Sequence, residues 1–98
     1  MSNPSDTNHA RPDFSLGSIV ATRNAFSSLT ASDILIALSR HSKGDWGNLD
    51  KEDHLANEQA LITGGRLFSA YRSEAGVKFW IITECDRSIT TVLLPGDY

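Results

Sequence analysis

His54 and Glu58 stand four residues apart, a spacing that puts both on one helical face and would suit two ligands of a metal ion. A second histidine or carboxylate pair is missing unless His41 joins them, so a surface pair beside Leu55 and Ile62 is expected instead. Asp45, Asn48, Asp50, Glu52 and Asp53 pose the calcium question. An EF-hand loop needs oxygen ligands at positions 1, 3 and 5, glycine at 6 and glutamate at 12. Counted from Asp45, those positions bring Gly47, Leu49 and Ala56 where ligands should stand, so the acids read as the acidic start of a helix. Cys85 sits among negative charges, between Glu84 and Asp86, and nothing like a nucleophile elbow surrounds any serine. The residues therefore lean towards a non-enzyme that carries no metal and no cofactor.

Charge narrows the class further. The chain has 98 residues, an apolar fraction of 40% and a net charge of -3, the profile of one globular domain with a modest core. Arg11, Arg23 and Arg40 balance Asp6, Asp13 and Asp33 over residues 1–41, and Arg66, Arg72, Lys78 and Arg87 balance Glu74, Glu84, Asp86 and Asp97 over residues 59–98. The excess lies in residues 42–58, where Asp45, Asp50, Glu52, Asp53 and Glu58 outnumber Lys43 and Lys51. Proteins that neutralise phosphates usually carry a net basic face, so this balance speaks against direct nucleic-acid binding. Cys85 is the one cysteine, which excludes an intramolecular disulfide. The opening residues lack the basic and apolar regions of a signal peptide. No run approaches the ~18 apolar residues of a membrane span. The expected setting is cytoplasmic, with no membrane partner.

The elements that must position these residues form an α+β order. Residues 1–13 are polar and read as a disordered tail, ahead of one domain over residues 14–98. A short strand is expected over residues 16–22, with Thr22 capping a short helix to about Leu29. Thr30 and Asp33 mark a second helix start. The run Ile34, Leu35, Ile36, Ala37, Leu38 is apolar almost all round, so that helix is expected to be deeply buried and to end near His41. Asp50 caps a third helix, with His54, Leu55, Glu58, Leu61 and Ile62 on one face and a stop at Gly64 and Gly65. A three-stranded antiparallel meander follows, with turns at residues 73–76 and 85–87. In its second strand Val77, Phe79, Ile81 and Thr83 alternate with Lys78, Trp80, Ile82 and Glu84. Both faces carry apolar residues, so one is expected on the helices and the other partly covered or sticky.

Binding candidates follow from exposure and residue type. Trp46 lies in a glycine-flanked loop beside Asp45. It reads either as a loop anchor packed onto the domain or as an exposed hot spot, a role tryptophan and arginine dominate. Trp80 reads as sheet packing. Asp86 and Arg87 occupy a tight corner where a surface ion pair adds only about 0–1 kcal/mol. The expected partner-binding set is Asp45, Trp46, Asp50, Glu52, Asp53, Asp86 and Arg87. Its acidic members suit a protein partner that presents a basic, nucleic-acid-binding surface.

Residues 44–53, 65–71 and 80–98 resemble a family of small bacterial proteins labelled plasmid-related. The resemblance spans about residues 16–98 and implies a mobile-element setting without a settled activity. Residues 23–32 depart from the Pro-Gly opening of that family. Together with the acidic segment it points to an accessory protein that binds and inhibits a host defence complex, as anti-CRISPR and anti-restriction factors do. The order of elements is also similar to that of RelE/ParE-type toxins, which implies an alternative ribonuclease role with Arg66, Arg72, Arg87 and Tyr98 facing RNA. A homodimer through an exposed sheet edge is compatible with either role.

Overall fold

Three polar side chains start the three helices. In a computed structural model of the protein, which describes residues 14–98, Thr22 Oγ1 accepts from the Ala25 N–H at 3.1 Å and opens α1, Arg23–Ser28. Thr30 and Asp33 form a reciprocal capping box for α2, Ala31–Ser42. Asp50 accepts from the Asp53 N–H at 2.8 Å and opens α3, Lys51–Thr63, which stops at Gly64 in the left-handed conformation. Each cap satisfies backbone donors that a helix start leaves without an intrahelical partner. The tail expected to be disordered over residues 1–13 lies outside the described residues.

Around these helices runs a four-stranded sheet, giving an α+β fold. β1, Ser18–Ala21, precedes the helices; β2, Leu67–Arg72, β3, Lys78–Thr83, and β4, Ile89–Leu93, follow them. The meander is present, but the sheet is mixed, with order β1-β4-β3-β2 and β1 parallel to β4. The helices supply the long crossover that a parallel pair requires. At the opposite edge, Asn48 N–H donates to the Ala70 carbonyl and Ala70 N–H to the Trp46 carbonyl, at 2.7 and 3.0 Å, so the loop after α2 docks against β2. Gly47 is required there: its φ is +77°, and a Cβ would lie 2.0 Å from the Ala70 oxygen.

The sheet separates two faces. Leu67, Ser69 and Tyr71 on β2, Phe79, Ile81 and Thr83 on β3, and Thr90 and Val92 on β4 are all buried and in register. Tyr71, Phe79, Ile81 and Val92 share a core with Ala25, Leu29, Ala37 and Leu38 of the helical layer, while Trp46, Ala60 and Leu67 form a second cluster. The helices themselves are less buried than their composition predicts. On α2 only one stripe, Ala37, Leu38 and His41, is buried, whereas Leu35 and Ile36 are exposed. A sheet of four short strands covers one side of a helix, so an all-round apolar sequence still leaves part of itself in water. On α3 the buried residues are Asn57 and Ala60, which turns Leu55 and Ile62 outwards.

His41 is fully buried and joins the layers. Its Nδ1 lies 2.5 Å from Ser69 Oγ and its Nε2 lies 2.9 Å from Thr83 Oγ1. Thr83 Oγ1 is 2.7 Å from Thr90 Oγ1, and Thr90 donates to the Leu16 carbonyl at 2.6 Å. A hydroxyl has one proton, which sets the direction of the whole chain. Thr90 gives its proton to Leu16, so Thr83 must donate to Thr90, and His41 Nε2–H must donate to Thr83. Burial favours the neutral ring, in which Nδ1 accepts from Ser69.

Protonation would place a second N–H against Ser69 and a charge in the core. Burial, helped by the Arg87 cation, pushes the His41 pKa from 6.5 down to about 4. The unfolded chain therefore takes up this proton first, and stability falls as pH drops through that interval. The expected loss between about pH 6.5 and pH 4 is roughly 3 kcal/mol. Hydrogen bonds hold Asp45 and Asp97 below their ordinary 3.8, so their contributions fade at still lower pH. Urea unfolding across the interval tests this, and a stability that stays flat would contradict the neutral buried histidine. His41→Gln should flatten the profile while lowering stability near neutrality.

Candidate binding surfaces

The loop that the sequence singles out is built inwards. Trp46 is 1% exposed, its ring stacks on Phe14 at 6.4 Å between centroids and meets His41 edge-on at 5.6 Å. Its Nε1–H donates to Glu58 Oε2 at 2.8 Å. The indole is thus the loop anchor and does not reach the surface as a hot spot. Asp45 sits outside it and accepts from Arg40 Nε and Nη2 at 2.7 and 3.1 Å. Arg40 lies 4.7 Å above the Tyr71 ring, and the Tyr71 hydroxyl donates to the Asp45 carbonyl at 2.6 Å. The Arg40 pair holds Asp45 below the usual carboxylate range, and burial pushes the Tyr71 phenol up to about 12.

The corner at Asp86 and Arg87 is structural as well. The two side chains make no ion pair with each other. Asp86 Oδ1 accepts from Ser88 N–H and Oγ–H at 3.0 and 2.6 Å, closing the turn before β4. Arg87, held at φ 61°, donates from Nη1 to the Gly65 carbonyl at 2.6 Å and from Nη2 to the Ala60 carbonyl at 3.1 Å. It also reaches the Glu84 carbonyl at 3.2 Å, and its Cζ lies 5.8 Å from the Phe14 ring centre. The guanidinium therefore caps the C-terminal end of α3, where a cation also meets the negative end of the helix dipole.

Two of the open surfaces among the described residues combine apolar and charged side chains. The first is the outward stripe of α3, where Glu52, Leu55, Ala56, Glu58, Gln59 and Ile62 line a shallow hollow of about 540 Å³. Leu55 is 60% and Ile62 80% exposed. Asp50, Glu52 and Asp53 gather at the start of this helix, with Asp50 committed to the cap. The second is the sheet face opposite the helices, where Phe68, Ala70 and Arg72 on β2 face Ile82, Trp80 and Lys78 on β3 in register. The C-terminal turn, Pro95–Asp97, folds across it, held by Thr22 Oγ1–H and Asn24 Nδ2–H donating to Asp97 at 2.6 and 2.7 Å. These bonds draw the Asp97 carboxyl below its usual range.

The four residues of the ribonuclease reading do not form one site. Arg66 donates to the Tyr98 hydroxyl at 2.9 Å and pairs with Glu84 at 3.3 Å. Arg72 lies at the other end of β2, and Arg87 is engaged with carbonyl oxygens. His41 is locked in the core. Among the described residues, no group of three or more histidine, cysteine, aspartate or glutamate side chains is arranged to hold a metal. No described helix is long and apolar enough to cross a membrane. Comparison with family models, with curated proteins and with solved structures finds no match.

The roles of Arg87 can be separated by two substitutions. Arg87→Ala removes several charge-assisted bonds to carbonyls and should cost about 2 kcal/mol. Arg87→Gly loses the same bonds but suits the positive φ, so it should be more stable than the alanine variant by about 1 kcal/mol. Equal and wild-type stability of both, measured by urea unfolding, would return Arg87 to the list of free surface residues.

Proposed function

We propose that the chain is a non-enzymatic binding protein that docks on another protein through the outward stripe of α3. The observation that carries this reading is the exposure of Leu55 and Ile62 on a helix whose own packing uses Asn57 and Ala60. Leu55, Gln59 and Ile62 follow the i, i+4, i+7 pattern by which a helix anchors in an apolar groove. Glu52 and Asp53 border the stripe, so the complementary groove is apolar with a lysine and arginine rim. The basic rim is the feature such a groove shares with surfaces that bind nucleic acid. The finer form of the proposal is an accessory protein of a mobile element that occupies such a surface on a defence complex and inhibits it. The resemblance to plasmid-related proteins supports the setting, and the acid-rimmed stripe supports the class of target. The ribonuclease alternative rests on the order of elements, and Arg87, one of its four residues, is engaged with backbone carbonyls.

The test keeps the fold intact. Leu55→Gln with Ile62→Gln retains good helix formers at exposed positions and should change stability by less than about 0.5 kcal/mol. A tagged chain is used on nuclease-treated bacterial lysate, and the captured complex is purified and titrated. The double variant should weaken that interaction by at least tenfold. Glu52→Lys with Asp53→Lys should weaken it most at low salt. Unchanged affinity of the Leu55, Ile62 variant would end the α3 proposal, as would capture of ribosomes and RNA alone.

A further inference from the structure

The outer sheet face carries an aromatic step beside two unpaired cations. Phe68 meets Trp80 edge-on at 5.1 Å, and Trp80 meets Tyr98 at 5.9 Å with 71° between the rings. Tyr98 is 74% exposed. A hollow of about 290 Å³ lies on one side of Trp80, lined by Arg66, Phe68, Trp80, Ile82 and Tyr98. A second, of about 530 Å³, lies on the other side and is bordered by Asn48, Arg72, Lys78, Trp80 and Pro95 among others. The indole is the wall they share.

Arg72 and Lys78 are direct cross-strand neighbours. Like charges in that position destabilise a strand pair, so folding alone favours a carboxylate at one of them. Neither is ion-paired among the described residues; Arg72 reaches only the Gly76 carbonyl, at 3.4 Å. The carboxylates near this face are occupied, Glu84 by Arg66 and Asp97 by Thr22 and Asn24. An anion would relieve the repulsion between Arg72 and Lys78, and a flat ring beside it would find an aromatic partner. Lys78 and Trp80 are separated by two strand residues, about 7 Å, a spacing that suits a phosphate and the base attached to it.

We infer that this face binds single-stranded nucleic acid, with the backbone phosphate between Arg72 and Lys78, the attached base against Trp80, and the neighbouring base in the hollow lined by Phe68, Trp80 and Tyr98. An open sheet with aromatic rings receives unstacked bases, which every sequence offers, and a duplex hides them. The acidic α3 stripe belongs to the helical layer and stays clear of this face. The inference is independent of the α3 docking reading, and either can fail without the other.

Fluorescence anisotropy decides it, using end-labelled single-stranded RNA and DNA probes of about 12 nucleotides and a duplex of the same sequence. The single strands should bind at low salt, and the duplex more weakly. Arg72→Glu with Lys78→Glu should weaken single-strand binding at least tenfold and flatten the slope of log affinity against log salt by about 0.7, the value for one phosphate contact on a single strand. Tyr98→Ala, at an exposed position, should weaken binding about tenfold and leave the salt slope unchanged. Tighter binding of RNA than DNA would assign the ligand as RNA, and equal binding as a generic single strand; both support the site. Absence of binding at low salt, preference for the duplex, or wild-type affinity in the charge-reversed variant with its circular dichroism intact would overturn it.

Discussion

The hydrogen-bonded chain through His41 is the constraint on which the rest of the structure depends. Five groups, from Ser69 to the Leu16 carbonyl, are satisfied in series by one neutral imidazole. They come from β2, β3, β4, α2 and the segment before β1, so every layer contributes one partner. An unsatisfied buried polar group costs about 1–3 kcal/mol, and a shift in register of any strand would leave several. The chain therefore selects one pairing of β2, β3 and β4 where apolar side chains alone would tolerate neighbours. It also explains why the lid above it, Phe14, Trp46 and Arg87, is aromatic and cationic: a dry, positive surrounding keeps the ring unprotonated.

Building the centre this way uses most of the acid and aromatic residues that a sequence reading assigns to a partner. Asp45 holds Arg40, Asp50 and Asp86 close a helix start and a turn, Trp46 closes the core, and Arg87 ends α3. Glu52 and Asp53 are left at the start of α3, with their neighbours Leu55 and Ile62. A small core has no room to bury both sides of a helix. The apolar residues that remain outside then mark surfaces rather than errors of packing.

The helix starts and the strands were legible because each depends on local chemistry. Thr22, Thr30, Asp50 and Gly64 act within four residues of themselves, and the period of two in residues 77–84 follows from the pleat. What was not legible depends on residues far apart in the chain. Nothing near Ser18 announces a parallel partner seventy-one positions later, at Ile89. Nothing near Arg87 announces the carbonyls of Gly65 and Ala60. Trp46 could be read as anchor or as hot spot, and Glu58, twelve residues on, decided it. The apolar run 34–38 misled for a related reason: composition records how many faces are apolar, and only tertiary structure records how many are covered.

Net charge misleads in the same way. Residues 59–98 balance by count, yet the fold sends their members to different places. Arg87 turns into the base of α3, Asp86 closes on Ser88, and Asp97 is tied to α1. Arg66 is neutralised at one end of the outer face, which leaves Arg72 and Lys78 side by side at the other. A segment of zero net charge thus leaves two cations side by side, because Glu84, Asp86 and Asp97 are engaged by other groups while Arg72 and Lys78 carry no ion pair among the described residues. A chain with a mild negative charge can therefore present an acidic surface to one partner and a basic, aromatic one to another, and the four-stranded sheet is what keeps the two apart.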